Sequence, residues 1–206
     1  MRNHPECRYI FLSSGAAYGV NFGAPVDEKS LAHVGINNLQ PQDWYGVAKL
    51  HAECRHRALA PLPIVDIRVF NYFSHAQDMN ARFLISDVLR AIRDKTVLRT
   101  SKDYIVRDYL HPSDFFQLVN VMLSTASTNT VIDCYSLAPI DKPTLLTIMQ
   151  ENFGLQYELL DAVENINNVG KKINYHSLSK KAAEFGYSPK FTSIECLLIE
   201  LRKYFK

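Results

Sequence analysis

Short apolar runs that end at loop-forming residues recur along the chain and predict three strands. The first run covers 8–12 and ends at Ser13-Ser14-Gly15. The second covers 62–70, with Asn71 at its carboxyl end, and the third covers 131–137. Runs of this length without polar alternation are typical of strands buried on both faces, as in parallel sheets. The segment 104–110 is predicted to be extended as well.

Between these runs, apolar side chains recur at the spacing of three to four residues that is typical of helices. The spacing predicts helices over about 43–58, 83–93, 115–123, 144–153, 177–186 and 193–204. Pro112-Ser113-Asp114 is expected to cap the third helix, and Gly154 and Gly186 are expected to end the fourth and fifth. Because strands and helices alternate, the chain is predicted to be an α/β protein with a mainly parallel sheet.

Composition narrows the class of protein. The chain has 206 residues, of which 47% are hydrophobic and 21% charged, as in one ordinary globular domain. A net charge of +2 with interspersed signs gives no reason to expect a nucleic-acid or membrane partner.

The cysteines lack C-x-x-C spacing and the histidines do not cluster, so no disulfide framework and no metal site is expected. His51 and His56 are expected to face solvent, and the protein is expected to be cytoplasmic.

A tyrosine four residues before a lysine carries the clearest chemistry in the sequence. On a helix, Tyr45 and Lys49 share one face. An unperturbed tyrosine has a pKa of about 10 and is a poor base at neutral pH, unless a nearby positive charge favours the phenolate. Ser14, at the end of the first strand, is placed to hydrogen-bond the oxygen that Tyr45 protonates or deprotonates. Because the same spacing occurs by chance on many helices, a plain surface role for the pair is the alternative.

Four ordered segments make the pattern more specific. They are Ser13-Ser14-Gly15-Ala16-Ala17-Tyr18-Gly19, Tyr45-x-x-x-Lys49, Arg68-Val69-Phe70-Asn71 and Arg107-Asp108-Tyr109-Leu110-His111. In order and rough spacing, they resemble the extended short-chain dehydrogenase/reductase family, the NAD-dependent epimerases and dehydratases that act on nucleotide sugars. The resemblance extends from about residue 8 to the C-terminus.

The resemblance implies a fold as well as an activity. It implies a single partial domain, made of the C-terminal part of a doubly wound, Rossmann-type parallel sheet and a small substrate-binding α/β region. Residues 1–75 and about 115–140 are then the remainder of the dinucleotide-binding fold. Residues of about 76–114 and 141–206 are the substrate-binding region.

The resemblance also implies roles for the residues at the reacting end. Tyr45 is the implied catalytic acid/base, and Lys49 lowers its pKa and holds the nicotinamide ribose. Ser14 matches the catalytic serine or threonine of the family. Ser13 and Phe70, together with Tyr45 and Lys49, are the implied cofactor-binding residues.

Two further residues match the family's substrate-binding positions. Asn71 matches the asparagine that meets the phosphate side of the substrate, and Arg107 matches the arginine that pairs with the pyrophosphate, which a guanidinium can bind bidentately. The alternatives are that Asn71 caps a loop and that Arg107 pairs with Asp108 or Asp114. Arg68 is expected to support its strand and not to touch ligand.

The chain departs from the family pattern at several places, among them Ser74, where a glycine commonly follows the asparagine motif. Sugar 4,6-dehydratases of the family carry an acidic pair directly after the catalytic threonine, where this chain has Gly15-Ala16, so dehydration is disfavoured. Residues 98–101 stand where a glycine-containing turn is usual. No G-x-G-x-x-G turn is present, and on the order of 100 residues that would carry it and select NAD or NADP are missing relative to the family.

The sequence therefore predicts the catalytic and substrate-binding portion of a nucleotide-sugar epimerase or 4-keto-reductase that uses NAD or NADP, with an incomplete cofactor site. The alternative is a non-catalytic nucleotide-sugar-binding remnant, or one subunit of a split enzyme. A nucleotide-diphosphate sugar is the expected ligand. A polypeptide that carries the missing half is a candidate partner, and the resemblance favours a homodimer formed through the Tyr45 helix.

Overall fold

The computed structural model describes residues 7–19, 21–81, 83–161 and 172–206. The helices in these ranges are α1 (Trp44–Ala58), α2 (Leu84–Asp94), α3 (Pro112–Ser124), α4 (Lys142–Phe153) and α5 (Ser193–Tyr204). The strands are β1 (Tyr9–Ser14), β2 (Ile64–Val69), β3 (Asn71–Tyr72), β4 (Val97–Ser101), β5 (Val106–Arg107), β6 (Tyr109–Leu110), β7 (Thr130–Asp133), β8 (Ile140–Asp141), β9 (Gln156–Leu160) and β10 (Asn174–Tyr175). Strands and helices alternate, which confirms the predicted α/β class.

The three predicted strands form one parallel sheet in the order β1-β2-β7. Tyr9 pairs with Ile64, and Val65 pairs with Thr130. The middle strand β2 is buried along its first four residues, as its continuous apolar run predicts. Strand β7 ends at Asp133, four residues before the predicted end, and by Leu137 the chain has left the sheet, since Leu137 donates its N–H to Phe191 O in another part of the fold.

A second region packs α2, α4 and α5 around an apolar cluster that includes Leu89, Leu146 and Leu197. The parallel pair β4–β9 joins this region. Residues 98–101 therefore lie in a strand and not in a turn, and Leu98 is 8% exposed in the core. The sequence pattern missed β9, because it carries no apolar run of the kind used to find strands. The proposed division of the chain into two regions by residue number stays a prediction.

The predicted helix over 177–186 is wrong in its first half. The chain is extended at Ser177, where it bridges to Val26, and Leu178 N–H donates to Val26 O. Only Lys181–Phe185 form a 3₁₀ helix, which ends at Gly186 with a φ of +97°, a conformation that glycine adopts without strain. Pairing with a distant segment has overridden the local helical preference.

Two polar positions also differ from expectation. The N-cap of α3 is His111, whose side chain accepts from Ser113 N–H, whereas Asp114 accepts from the N–H groups of Lys190 and Phe191. The solvent-facing role predicted for His56 is wrong. Its Nδ1 lies 2.6 Å from the fully buried Asp66 carboxylate, and its side chain is 15% exposed.

Within the described ranges, no helix is long and apolar enough to cross a membrane. The same ranges contain no group of three or more His, Cys, Asp or Glu side chains that could hold a metal ion.

Candidate active site

A cavity of about 1150 Å³ opens at the carboxyl ends of β1 and β2. This edge is where open α/β sheets bind their ligands. The predicted site residues that line the cavity are Ser13, Ser14, Tyr45, Phe70, Asn71 and Arg107. Lys49 is the predicted site residue that does not line it.

Ser14 is the last residue of β1 and the N-cap of the 3₁₀ helix Gly15–Tyr18. Its Oγ accepts a hydrogen bond from Ala16 N–H at 3.2 Å and lies 3.2 Å from Tyr175 Oη. Capping of this kind is typical of serine, whose short side chain reaches the N–H groups of the next turn. The strand end and the cap together hold the hydroxyl at the cavity wall.

Two glycines allow the elements around Ser14 to approach closely. A Cβ on Gly15 would lie 2.4 Å from the Phe70 ring, and a Cβ on Gly46 would lie 2.7 Å from Ala16 O. Helix α1 therefore packs directly against the Gly15–Tyr18 turn. This approach brings Tyr45, the residue before Gly46, to the cavity.

Tyr45 and Lys49 lie on the same face of α1, as the spacing of four predicts. Lys49 Nζ is 5.4 Å from the centre of the Tyr45 ring and 4.7 Å from the centre of the Phe11 ring. Its hydrogen bond, however, goes to the main-chain oxygen of Leu12 at 2.7 Å. Tyr45 itself is 57% exposed.

The Leu12 carbonyl lies on the outer edge of the sheet. In a parallel pair, both main-chain groups of a residue point to the same side, and successive residues alternate. Tyr9 N–H donates to Pro63 O just before β2, so Tyr9, Phe11 and Ser13 face β2 and Leu12 faces away. In the described part of the chain β1 pairs with β2 alone, so the Lys49 ammonium occupies the edge of β1.

A buried ion-pair network supports the floor of the site. Ser13 Oγ donates to Glu53, and Glu53 accepts from Arg68 Nε at 3.0 Å. The Arg68 guanidinium also stacks on the Tyr18 ring at 4.3 Å and lies 3.6 Å from Asp133. Arg68 thus supports the strands beneath the cavity, as expected, and the Ser13 hydroxyl is already engaged with Glu53.

Arg107 faces the cavity from β5. Its Nη1 donates to the main-chain oxygens of Val106 at 2.8 Å, Lys172 at 2.7 Å and Ile173 at 3.3 Å. The alternative partner Asp108 accepts instead from Ser136 N–H. Burial lowers the pKa of Arg107 from its ordinary value.

Asn71 reaches the same region because β3 pairs with β6, in the register Asn71 to Tyr109. Its Nδ2 donates to Asp108 O at 3.3 Å. The amide therefore holds the segment that carries Arg107 while it lines the cavity. Its predicted loop-anchoring and ligand-facing roles are compatible in this geometry.

Three lining residues had no signal in the sequence. Tyr175 lies beside Arg107 because β10 pairs with β5. Lys172 Nζ lies 4.5 Å from the centre of the Tyr175 ring, and burial together with the nearby Arg107 charge lowers its pKa to about 8. Lys142 also lines the cavity and donates to the main-chain oxygen of Ser101. These residues are far from Arg107 in sequence, so only the folded chain reveals the cluster.

Comparison with known proteins places the chain in a family. The family model described as GDP-mannose 4,6-dehydratase matches residues 1–191. No curated protein sequence matches the chain at a significant level.

Solved structures of nucleotide-sugar enzymes share the fold. UDP-glucose 4-epimerase from Thermotoga maritima is 22% identical, with a TM-score of 0.76 over 96% of this chain and 63% of its own. MoeE5 in complex with UDP-glucose and NAD is 20% identical, with a TM-score of 0.76 over 97% of this chain and 66% of its own. dTDP-glucose 4,6-dehydratase from Bacillus anthracis in complex with NAD is 17% identical, with a TM-score of 0.75 over 98% of this chain and 63% of its own.

The chain thus spans slightly less than two thirds of the length of each of these structures. The match over nearly the whole of this chain confirms the Rossmann-like fold that the motifs implied. With a family model that covers 191 residues, the predicted kinship with nucleotide-sugar epimerases and dehydratases is confirmed as well. The chain belongs to the GDP-mannose 4,6-dehydratase family.

Proposed function

We propose that this chain supplies the catalytic and substrate-binding part of an enzyme that epimerises or reduces a nucleotide-diphosphate sugar at carbon 4. One observation carries the proposal: Ser14, Tyr45, Asn71 and Arg107, which come from four different elements, line a single cavity at the carboxyl ends of parallel strands. Such convergence of polar groups in one cleft is the usual sign of an active site.

At one end of the cavity, Tyr45 is the proposed acid/base for the sugar hydroxyl. Ser14 is the proposed hydrogen-bond partner of the same oxygen. Lys49 supplies the positive charge that favours the phenolate of Tyr45, a role for which its ammonium has to leave the Leu12 carbonyl.

At the other end, Arg107 and Lys172 are the proposed contacts of the diphosphate. Lys142 adds a third positive charge to the lining, against the carboxylates of Asp43 and Asp103. Cationic groups at a partly buried wall strengthen the binding of phosphate oxygens, since water screens them less than at an open surface.

The geometry favours epimerisation or reduction over dehydration. An acidic side chain at position 15 would enter the Phe70 ring, because even a Cβ there would lie 2.4 Å from a ring carbon. Ala16 is also buried, at 7% exposure. Position 15 therefore accepts no acidic side chain unless Phe70 moves, which supports epimerisation or reduction.

The cofactor proposed for this site is NAD or NADP, which supplies the hydride acceptor and donor when bound. Tyr45 presents a hydroxyl group and Phe70 an aromatic wall at the carboxyl end of the sheet, and Ser13 Oγ, whose proton goes to Glu53, keeps a lone pair to accept with, which supports a nicotinamide ribose at this place. The complexes of MoeE5 and of the Bacillus anthracis dehydratase contain NAD. We propose that a further polypeptide segment pairs with the β1 edge and completes the cofactor site.

One observation favours the second candidate function, a non-catalytic nucleotide-sugar binder. Lys49 bonds to Leu12 O and does not line the cavity, whereas Arg107 and Lys172 do. In that state the cations of the binding end line the cavity, whereas the Lys49 ammonium of the reacting end does not.

Titration of the purified chain tests both candidates. We expect UDP-glucose to bind and Lys172→Met to weaken this binding about tenfold. Arg99 is an exposed cation on β4 that does not line the cavity, so we expect Arg99→Met to leave the binding unchanged. Energy transfer from Trp44 to NADH reports cofactor binding, because Trp44 is 63% exposed and adjacent to Tyr45. Binding of both ligands, with turnover that Tyr45→Phe abolishes, supports the enzyme. Binding of UDP-glucose alone supports the second candidate, and binding of neither contradicts both.

A further inference from the structure

Two groups of the fold lie within hydrogen-bond distance of the catalytic-serine candidate, Ser14. A hydroxyl group has one proton to donate and two lone pairs to accept with. Ser14 Oγ accepts from Ala16 N–H at 3.2 Å, which uses one lone pair. Tyr175 Oη lies 3.2 Å from the same oxygen, so the direction of this second bond decides what the Ser14 proton can do.

The surroundings of Tyr175 keep its hydroxyl protonated and able to donate. The Tyr175 ring packs edge-on against Phe22 and Phe70, with ring centres 4.8 Å and 5.2 Å apart. Burial raises the pKa of Tyr175 to about 12, so its oxygen keeps its proton at neutral pH. Among the described hydrogen bonds, Ser14 Oγ is the partner of Tyr175 Oη, so a bond donated by the Tyr175 hydroxyl goes to Ser14.

We propose that Tyr175 is a positioning residue that fixes Ser14 as a hydrogen-bond donor toward the reacting oxygen of the sugar. Tyr175 and Ala16 N–H fill both lone pairs of Ser14 Oγ, and its own proton is left to point into the cavity. This inference rests on the proposed function of the site. In that reaction Ser14 stabilises charge on the sugar oxygen and transfers no proton, and Tyr45 alone exchanges the hydroxyl proton.

The competing explanation is that Tyr175 is only a packing residue of the Phe22–Phe70 cluster. Tyr175→Phe separates the two explanations, because it removes the phenolic oxygen and keeps the ring. Tyr187→Phe is the matched control: Tyr187 is a buried tyrosine whose Oη donates to Tyr135 O at 2.7 Å, and it does not line the cavity.

The first experiment tests the hydrogen bond without ligand or activity. The chain is labelled with ¹³Cζ-tyrosine, and the NMR signals of Tyr175 and Tyr187 are assigned from the two Tyr→Phe variants. We expect Ser14→Ala to shift the Tyr175 signal and to leave the Tyr187 signal in place. A Tyr175 signal that does not respond to Ser14→Ala overturns the proposal, whatever the chain binds.

The second experiment tests the direction of the bond by ligand binding. The ratio of the dissociation constants of UDP-4-deoxyglucose and UDP-glucose measures the interaction with the hydroxyl at carbon 4. We expect Tyr175→Phe to lower this ratio about fivefold, Ser14→Ala to lower it by a similar factor, and the double variant to lower it no further. Tyr187→Phe is expected to leave the ratio unchanged.

The two experiments distinguish failure of this proposal from failure of the proposed function. A Tyr175→Phe ratio equal to that of the unmodified chain, with UDP-glucose still bound, overturns the positioning role alone. No binding of UDP-glucose by any variant contradicts the proposed function, and the NMR result then decides whether Tyr175 holds Ser14.

Discussion

The two sides of the cavity differ in how completely this chain builds them. On one side, Ser14 Oγ is held by Ala16 N–H and lies beside Tyr175, and the turn that follows packs tightly on Phe70. On the other side, Tyr45 is 57% exposed and the Lys49 ammonium binds the Leu12 carbonyl. We call these the serine side and the helix side.

The sheet explains the difference. Strand β2 has a neighbour on each side, whereas β1 pairs with β2 alone in the described part of the chain. Groups that face β2 find partners within the fold, and the Leu12 carbonyl on the outer edge takes the nearest cation. Lys49 therefore lies on the predicted helix face and still bonds to a main-chain carbonyl. That carbonyl can accept from a side chain because no described strand pairs with this edge of β1.

The largest effect is expected from breaking the support of the serine side. Arg68→Met leaves the carboxylates of Glu53 and Asp133, which are 4% and 3% exposed, without their shared cation. Removal of one partner from a buried ion pair costs about 3–5 kcal/mol. We expect a loss of this size in the free energy of unfolding, measured with urea.

Arg99→Met is the control for that measurement. Arg99 pairs with Glu158 at 3.3 Å, but the two side chains are 73% and 53% exposed. Exposed pairs contribute about 0–1 kcal/mol. Equal losses for the two variants would show that the network beneath Ser13 does not support the site.

The close packing of the serine side predicts the next largest effect. Gly15→Ala forces the buried Phe70 ring to move, because the new Cβ would lie 2.4 Å from it. Overpacking of this kind costs about 1–3 kcal/mol. Gly35→Ala is the matched control, since a Cβ at Gly35 meets nothing within 4 Å. Thermal unfolding of both variants gives the comparison, and an unchanged Gly15→Ala midpoint would argue against the tight turn.

The buried carboxylate of Glu200, on α5, holds the segment that follows β3 and can be tested by acid titration. Glu200, which is 1% exposed, accepts from Lys203 Nζ at 2.6 Å and from His75 N–H at 2.9 Å. Burial alone raises the pKa of Glu200, but these bonds outweigh it and lower the pKa to about 2 from an ordinary value of 4.5.

Because the folded-state pKa is the lower one, the stabilising contribution of Glu200 is present above about pH 4.5. It is lost as the pH falls toward 2. We expect the difference in unfolding free energy between the unmodified chain and Glu200→Gln to shrink over that interval. Urea unfolding at a series of pH values measures it. A difference that is constant from pH 6 to pH 2 would contradict the assignment.

The smallest effect on stability is expected on the helix side. Lys49→Met removes an exposed bond to Leu12 O and is expected to change the unfolding free energy by less than about 1 kcal/mol. It also uncovers an edge carbonyl, and lysines at sheet edges oppose strand pairing between molecules. We expect Lys49→Met to self-associate more than the unmodified chain in sedimentation velocity.

A second substitution shows whether that association uses the β1 edge. The N–H of Leu12 points away from β2, so Leu12→Pro removes an edge donor without removing a bond to β2. The double variant Lys49→Met/Leu12→Pro is expected to return to the sedimentation coefficient of the unmodified chain. Continued association of the double variant would place the contact elsewhere.

Much of the fold was predictable because its signals are local. The apolar runs located the strands of the central sheet, and the amphipathic spacing located α1, α2 and α5. Strands β4 and β9 were missed because neither carries a long apolar run and their pairing joins segments about 60 residues apart. His56 was misassigned for a similar reason, since its buried partner Asp66 lies on another element.

The residues of the candidate site also divide into those that local motifs predicted and those that only the folded chain revealed. Ser14, Tyr45, Asn71 and Arg107 were found from ordered motifs, and the structure brings all four to one cavity. Their catalytic and binding roles stay predictions. Tyr175 and Lys172 were not found, because they reach the cavity only through the pairing of β10 with β5.

The sequence by itself determined the α/β class, the family and the shared face of Tyr45 and Lys49, because strand burial, ordered motifs and helical periodicity are written in neighbouring residues. Only the tertiary structure decided which atoms these side chains contact. A hydrogen bond needs a partner within about 3 Å, and for Lys49 and for the phenol of Tyr175 that partner lies on a distant segment. Lys49 bonds to an edge carbonyl and Ser14 lies against Tyr175 for this reason.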